Sequence, residues 1–223
     1  MQSALSKMVS LISPMIGHNY EKFVAIKKAF YLTALEQLPG DYLEFGVFTG
    51  SSFVMAMRAH RAMAFCGPLL TRFYGFDSFS GFGAAASHDE HPFYTDKIFK
   101  IDADIALGNI RRHAKGSEFK IVPGFFHETL TRQNAKDLGI DKTRVAFIDC
   151  DLKEPATLCL EFMRPTLQPG TILLMDDFLA FRASKKAGVA GAFYEFCQRH
   201  PSLLWRRGFD YGYGGAAYVL ADV

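Results

Sequence analysis

The first forty residues carry one long helical pattern. Apolar side chains recur at three- or four-residue spacing at Phe23, Ile26, Phe30, Ala34 and Leu38. This period predicts an amphipathic α-helix with one buried face. Pro39 and Gly40 follow the pattern, and both residue types are typical of a helix end. We therefore expect a helix that stops just before residue 40.

Short apolar runs then alternate with helical segments along the rest of the chain. The predicted strands are YLEFGVF (42–48), TRFYGFD (71–77), FKIVPG (119–124), RVAFID (144–149), GTILLM (170–175), LLWRR (203–207) and AAYVLA (216–221). The predicted helices are residues 49–63, 103–115, 128–138, 154–167 and 185–199. Pro165 should distort the last turn of the fourth of these helices. Strands that alternate with helices indicate a largely parallel sheet, wound with helices on both faces.

The composition is that of one globular domain spanning residues 1–223. Apolar residues make up 49% of the chain and charged residues 22%, and no repeat or linker divides it. A formal charge of +2 without a long basic run gives no indication of a nucleic-acid partner. No apolar run is long enough for a membrane span. The four cysteines lack zinc-site spacing, so we expect reduced thiols in a cytoplasmic protein.

Ligands of such sheets bind beyond the carboxyl ends of the strands, so the residues that end each strand are the candidates for function. The first strand leads into LEFGVFTGSS, with Glu44, Gly46 and Gly50. Glycines there allow a ligand to approach the backbone closely. The dinucleotide fingerprint G-x-G-x-x-G is absent, because Phe48 stands at the middle glycine position. The acid suits a cationic or polyhydroxyl ligand, and the alternative is a tight turn with an ordinary capping carboxylate.

The second and third strands end in YGFDSFSGF and IVPGFFHETL. Asp77 lies where α/β nucleotide folds place a carboxylate on ribose hydroxyls, and the alternative is an Asx turn that it makes with Ser78. Gly124 and the two residues after it, Phe125 and Phe126, are candidates for the wall of an adenine site. The alternative for both phenylalanines is simple core packing.

Four carboxylates follow the fourth and fifth strands. Asp149 and Asp151 come from FIDCD, and Asp176 and Asp177 from MDDF. The two strands are joined by one helix, so their ends should be neighbours. Four carboxylates in a dry crevice stay ionised only beside a cation, and oxygen ligands favour Mg²⁺, Mn²⁺ or Ca²⁺ over zinc. The alternative is that these aspartates cap backbone N–H groups.

Together these motifs resemble a known family. PGDYLEFGVFTGSSF, YGFDSFSGF, VPGFFHETL, FIDCDL and MRPTLQPGTILLMDDF occur in this order over about residues 24–180. They resemble class I S-adenosylmethionine-dependent methyltransferases, and within these the macrocin O-methyltransferase-like family. The resemblance implies a Rossmann-like, doubly wound sheet of seven strands, mostly parallel, with an antiparallel C-terminal strand. It also implies that residues 1–40 form a helical cap on the acceptor side.

The resemblance also assigns roles to individual residues. It implies S-adenosyl-L-methionine as cofactor, with Asp77 on the ribose and with a divalent cation, usually Mg²⁺. The expected cofactor-binding residues are Glu44, Phe45, Gly46, Gly50, Ser51, Ser52, Asp77, Ser78, Gly124, Phe125 and Asp149. The expected metal ligands are Asp149, Asp176 and Asp177. Asp151 is the expected general base, although Asp149 and Asp151 could exchange roles as catalytic residues.

The expected function is metal-assisted methyl transfer to a hydroxyl of a small molecule. A sugar or glycosylated secondary metabolite leads as acceptor on resemblance, and a catechol-like phenol follows. The alternatives are a nicotinamide-dependent oxidoreductase and a non-catalytic binding module on the same fold. The irregular segment 80–100, with His88, Asp89, Glu90 and His91, is a candidate lid, and a second metal site there is the less favoured interpretation. The sequence leaves open whether the chain forms a homo-oligomer.

Overall fold

The computed structural model describes residues 2–83, 91–94 and 99–222. The helices are α1 (Gln2–Ser10), α2 (Pro14–Leu35), α3 (Ser51–Ala62), α4 (Ala103–Ala114), α5 (Phe126–Arg132), α6 (Lys153–Met163), the short α7 (Ala180–Ala183) and α8 (Gly188–Arg199). The strands are β1 (Asp41–Phe45), β2 (Phe73–Asp77), β3 (Phe119–Pro123), β4 (Thr143–Ile148), β5 (Ile172–Met175), β6 (Leu204–Tyr211) and β7 (Gly215–Asp222). All seven predicted strands are therefore present, with ends that differ by up to four residues.

The strands form one sheet in the order β3-β2-β1-β4-β5-β7-β6. The first five strands run parallel, while β7 is antiparallel to β5 and β6 is antiparallel to β7. This order confirms the predicted doubly wound, mostly parallel sheet. Because β1 lies next to β4 at the centre, the carboxyl ends of β1, β2, β4 and β5 meet along one edge, where a crevice opens.

Successive side chains along each strand belong alternately to two separate hydrophobic cores. On one face, Tyr42 and Phe147 pack with residues of α2, α3 and α4. On the other face, Leu43 and Ile148 pack with residues of α5, α6 and α8. Since successive strand residues point to opposite faces, strands covered on both sides read as continuous apolar runs. This is why the central strands were recognisable in the sequence.

Two helical predictions differ from the structure in an informative way. The segment 128–138 does not form one helix: α5 ends at Arg132 and a separate 3₁₀ turn follows at Ala135–Leu138. Asn134 separates them, because its side chain and that of Asp137 form a reciprocal capping box that starts the second turn. Pro165 acts as predicted, since α6 ends at Met163 and continues only as a 3₁₀ turn.

The N-terminal helices differ in how they are packed. α1 has no buried residue, whereas α2 buries Ile26, Phe30 and Ala34 against the sheet. The first turns of α2 reach the carboxyl ends of β4 and β5, so this helix both covers the sheet and approaches the crevice. In the ranges that the structure describes, no helix combines the length and apolarity needed to cross a membrane.

Phe45, one of the expected cofactor-binding residues, has its side chain in the core instead. Its ring is fully buried and stacks on Phe76, with 4.9 Å between the ring centroids and 14° between the ring planes. Phe126 and Phe162 meet the same ring edge-on. Because the side chain of Phe45 points into this aromatic group, only its backbone stays near the end of β1.

Replacing Phe45 with Ala should lower the free energy of unfolding by about 3–5 kcal/mol, since it removes a fully buried ring. Urea unfolding of the wild-type and variant proteins measures this difference. Phe65, whose side chain is 71% exposed, provides the control, and Phe65→Ala should change stability by about 0.5 kcal/mol or less. Equal effects of the two substitutions would show that Phe45 is not a core residue.

Candidate active site

A cavity of about 730 Å³ lies at the carboxyl ends of β1, β2, β4 and β5. This size is typical of a site for a small molecule. The predicted site residues that line it are Gly46, Asp77, Ser78, Phe125, Asp149, Asp151, Asp176 and Asp177. The predicted residues outside its lining are Glu44, Phe45, Gly50, Ser51, Ser52 and Gly124. The structure therefore brings the strand-end aspartates together in one cavity.

The turn after β1 brings the backbone against the end of β4. Gly46 has a φ of +97°, a conformation that favours glycine. A Cβ atom on this residue would lie 1.8 Å from the carbonyl oxygen of Asp149. Only glycine can therefore occupy this position, and the close approach sets Asp149 directly beside the end of β1.

Glu44 does not line the cavity, although the sequence places it in the cofactor wall. Its carboxylate is fully buried, accepts a hydrogen bond of 2.7 Å from the Ser52 hydroxyl, and is also bonded by the Tyr42 hydroxyl. Burial raises the pKa of Glu44 to about 8. Its side chain therefore links β1 to the first turn of α3, and its effect on the cavity is indirect.

Asp77 lines the cavity and also organises the turn after β1. One carboxylate oxygen accepts N–H groups of Val47 and Phe48 at 2.7 Å each, and the other accepts the N–H of Phe79 at 2.6 Å. The last bond is the Asx turn that was the alternative to ribose binding, except that its donor is Phe79. Since a carboxylate offers about four lone pairs, these three bonds leave about one for a ligand.

Three of the four strand-end aspartates form a potential metal site. One carboxylate oxygen each from Asp149, Asp151 and Asp177 lies within 4.8 Å of the other two. Burial, and then the neighbouring carboxyl group of Asp177, raises the pKa of Asp151 well above its usual range. Asp151 and Asp177 have a positive φ, 63° and 50° respectively, which is uncommon outside glycine.

Asp176, the fourth aspartate, is held by basic side chains of α2. Lys22 Nζ lies 2.5 Å from Asp176 Oδ2 and 3.0 Å from Asp149 Oδ2, and His18 Nε2 lies 3.1 Å from the same oxygen of Asp176. Although burial opposes ionisation, the bond to His18 and the charge of Lys22 lower the pKa of Asp176. The close carboxylate cluster is therefore formed by Asp149, Asp151 and Asp177, whereas Asp176 faces Lys22 and His18. The expected ligand set of Asp149, Asp176 and Asp177 stays a prediction.

His18 is oriented by the turn between the last two strands. The backbone N–H of Tyr213 donates to Nδ1 of His18 at 3.2 Å, so the ring proton lies on Nε2, which faces Asp176. Gly212 has a φ of +55°, and a Cβ there would lie 2.5 Å from the His18 ring. The segment GFDYGYGG thus contains the predicted turn, at residues 212–214 between β6 and β7, and this turn also positions a residue of the cavity.

Lys22 and His18 were missed in the sequence, although a signal was present. The apolar stripe of α2 contains Ile26, Phe30 and Ala34 at four-residue spacing, and the same spacing extends back to Lys22 and His18. Polar residues on the buried stripe of an amphipathic helix require buried partners. The carboxylates were the available partners, but they lie more than 120 residues away in the chain, since Lys22 and Asp149 are separated by 127 positions.

Aromatic residues form much of the remaining wall. Those in the described part of the chain include Phe48, Phe93, Tyr94, Phe99 and Phe125. Burial, and then the charge of Asp177, raise the pKa of Tyr94, whose ring stacks on His91 at a centroid distance of 4.3 Å. Of the candidate lid, His88, Asp89 and Glu90 lie outside the described residues.

Solved methyltransferase structures share this fold. The O-methyltransferase NovP superposes with a TM-score of 0.70 at 17% identity, covering 90% of this chain and 80% of that one. An O-methyltransferase from Bacillus cereus, in complex with S-adenosylhomocysteine (SAH), superposes with a TM-score of 0.55 at 17% identity, covering 93% and 82%. The fold is therefore that of the Rossmann-like methyltransferases.

The sequence defines the family within that class. The family described as macrocin-O-methyltransferase (TylF) matches residues 8–196, so the chain belongs to this family. It is also 28% identical over 154 residues to the 8-demethyl-8-(2,3-dimethoxy-alpha-L-rhamnosyl)-tetracenomycin-C 4'-O-methyltransferase of Streptomyces olivaceus. That match covers 63% of this chain and 54% of the relative, so the chain spans about half the length of the curated relative it matches.

Replacing Lys22 with Met should destabilise the fold by about 3 kcal/mol, because it leaves the buried Asp176 and the partly buried Asp149 without their shared cation. Adding Asp176→Asn should recover much of that loss, since the double variant removes one of the opposed charges. Urea unfolding in the presence of EDTA measures both effects. Lys27→Met, at an exposed position of the same helix, is the matched control. If Lys22→Met costs no more than the control, the ion pairs do not stabilise the site.

Proposed function

We propose that the protein is an S-adenosyl-L-methionine-dependent O-methyltransferase that acts on a hydroxyl of a sugar or a glycosylated secondary metabolite, with assistance from a divalent cation. One observation carries this proposal: the glycine turn after β1, Asp77 and the carboxylate cluster all open into the same cavity. A methyl donor and a hydroxyl acceptor must meet in one such space, because displacement at the methyl carbon requires the two reacting atoms to be in line and near contact.

The donor is expected at the β1–β2 side of the cavity. Gly46 offers close approach to the backbone, and Asp77 keeps about one lone pair free for a ribose hydroxyl. Phe125 and Phe48 provide apolar surface for a purine ring. The S-adenosylhomocysteine complex of the Bacillus cereus protein on the same fold supports this choice of cofactor.

The carboxylate cluster suits a divalent cation. Mg²⁺ binds oxygen at about 2.1 Å, so its ligand oxygens are at most about 4.2 Å apart, and Ca²⁺ allows about 5 Å. The oxygens of Asp149, Asp151 and Asp177, within 4.8 Å of one another, fit this range with a small contraction for Mg²⁺. These three residues would hold the cation. When bound, it supplies positive charge that lowers the pKa of an acceptor hydroxyl and orients it.

Asp151 is the proposed proton acceptor. Its carboxylate lines the cavity, and a carboxylate that holds the cation through one oxygen keeps its second oxygen to accept the hydroxyl proton. In the reaction, the bond between sulfur and the methyl carbon breaks while the bond between the acceptor oxygen and that carbon forms. The hydroxyl proton passes to Asp151, and the products are the methyl ether and S-adenosylhomocysteine.

The acceptor would enter beside the start of α2. Ser13, Asn19 and His18 line this part of the cavity and offer hydrogen-bonding groups to a polyhydroxyl ligand. The Streptomyces olivaceus relative is named for methylation of a rhamnosyl group, which supports a deoxysugar as the first acceptor to test. Methyl transfer to a rhamnosyl glycoside, but not to its aglycone, is the expected result, measured by mass spectrometry. Transfer to the aglycone alone would contradict the sugar assignment.

Calorimetric titration with S-adenosylhomocysteine should show saturable binding, whereas NAD(H) should not bind. Asp77→Asn should weaken S-adenosylhomocysteine binding by about tenfold to a hundredfold, because a hydrogen bond to a charged group is worth about 1.5–3 kcal/mol. Asp141→Asn, at an exposed aspartate, should bind like the wild type. Binding of NAD(H) alone would favour an oxidoreductase and overturn the proposal.

The two adjacent aspartates after β5 should differ in their effect on metal binding. Asp177→Asn should weaken binding of Mn²⁺, a spectroscopic substitute for Mg²⁺, by at least about tenfold, since it removes one of three carboxylate ligands. Asp176→Asn should have a smaller effect, because its carboxylate faces Lys22 and His18. Electron paramagnetic resonance of free Mn²⁺ measures both affinities. A larger loss of Mn²⁺ affinity with Asp176→Asn than with Asp177→Asn would favour Asp176 as a metal ligand.

A further inference from the structure

A second cavity lies at the amino ends of the strands, opposite the carboxyl ends where the first cavity opens. It has a volume of about 250 Å³ and is lined by the end of α3, the loop that follows it and the start of β4. Its polar lining comes from His60, Arg61 and Arg144, and its apolar lining includes Leu69. Arg144 stands at the start of β4, five residues before Asp149, which is about 16 Å along a strand. The two cavities are therefore separate sites.

Arg144 is fully buried, yet no carboxylate among the described residues pairs with it. Nε donates to the Thr33 hydroxyl at 2.8 Å, and the two terminal nitrogens donate to the Thr71 hydroxyl and the Phe30 carbonyl at 3.2 Å each. These bonds use three of the five N–H groups of a guanidinium. One N–H on each terminal nitrogen is left over, and two N–H groups of one guanidinium can bind a carboxylate or phosphate together.

The surroundings of Arg144 are positive and incompletely bonded. Among the described residues, Arg61 binds neutral acceptors, namely the carbonyls of His113 and Ala114 and the Ser117 hydroxyl. Nδ1 of His60 is buried without a hydrogen-bond partner in the described ranges. Burial, and then the charges of Arg144 and Arg61, lower the pKa of His60 to about 4. An uncompensated buried charge is costly, so an anion entering this cavity would be stabilised.

We propose that this second cavity binds an oxyanion, either a carboxylate or a phosphate group, through the terminal nitrogens of Arg144. The alternative is a purely structural role, in which Arg144 holds α2 and Thr71 to β4 through hydrogen bonds. That role accounts for three of its N–H groups and leaves the other two without an assigned partner. It also does not account for the bare nitrogen of His60 on the wall of the same cavity.

Leu69 offers a way to test the proposal while keeping the hydrogen bonds of Arg144. Leu69→Glu would place a tethered carboxylate at the cavity wall, where it should pair with Arg144 and exclude a free anion. Leu69→Gln has nearly the same shape without the charge and is the matched control. Arg144→Met removes the proposed anion-binding side chain directly. Because it also removes buried hydrogen bonds, it serves as a second variant.

The binding experiment uses inorganic phosphate and, separately, acetate, at constant ionic strength and in EDTA so that the carboxylate cluster holds no cation. NMR of the His60 ring, assigned with His60→Gln, should show saturable shifts for the wild type and Leu69→Gln. Leu69→Glu should weaken this binding at least tenfold and raise the melting temperature relative to Leu69→Gln. Preference for phosphate or for acetate identifies the source of the oxyanion, and either one supports the proposal.

Two results would overturn it. One is the lack of saturable shifts at His60 with both anions at millimolar concentration. The other is binding to Leu69→Glu as tight as to Leu69→Gln, which would place the anion elsewhere. In either case the role of Arg144 would be structural, through its hydrogen bonds to α2 and Thr71.

Discussion

The ammonium group of Lys22, between Asp149 and Asp176, is the interaction on which the arrangement of the site depends. It connects the first turns of α2 to the ends of β4 and β5. Four carboxylates crowded at two strand ends would otherwise repel one another. Lys22 divides them by their contacts: Asp176 faces the basic residues of α2, Asp151 and Asp177 lie close to each other, and Asp149 lies near both groups.

The backbone around these carboxylates is held in conformations that the surrounding fold must enforce. Asp151 and Asp177 both have a positive φ, and the turn at Gly46 lies against the carbonyl of Asp149. Such conformations each cost about 1–3 kcal/mol and persist only when neighbouring contacts determine them. Two strand ends packed on both faces provide that support, and the stack of Phe45 on Phe76 fixes the strand next to them.

The sequence predicted what depends on local pattern and missed what depends on distant contacts. Apolar runs identified all seven strands, and position at a strand end identified the four aspartates. The different contacts that these four aspartates make were not predictable, because they depend on Lys22, which is 127 residues from Asp149. Likewise, Asp77 lines the cavity as expected, whereas Glu44 lies outside its lining. Their partners, the Ser52 hydroxyl for Glu44 and the N–H groups of the β1 turn for Asp77, appear only in three dimensions.

The part of α2 from Lys22 to Thr33 is as long as the chain from Arg144 to Asp149, and this match explains how one helix contacts both ends of β4. Lys22 pairs with Asp149 beyond the end of β4, and Thr33 accepts from Arg144 at its start. Lys22 and Thr33 are 11 residues apart, about 16 Å of helix, while Arg144 and Asp149 are 5 residues apart, about 16 Å of strand. A shift of α2 by one turn would break both contacts at once. The charged groups at the two ends of β4 therefore fix the register of the helix, and this register places the basic residues of α2 over the aspartates.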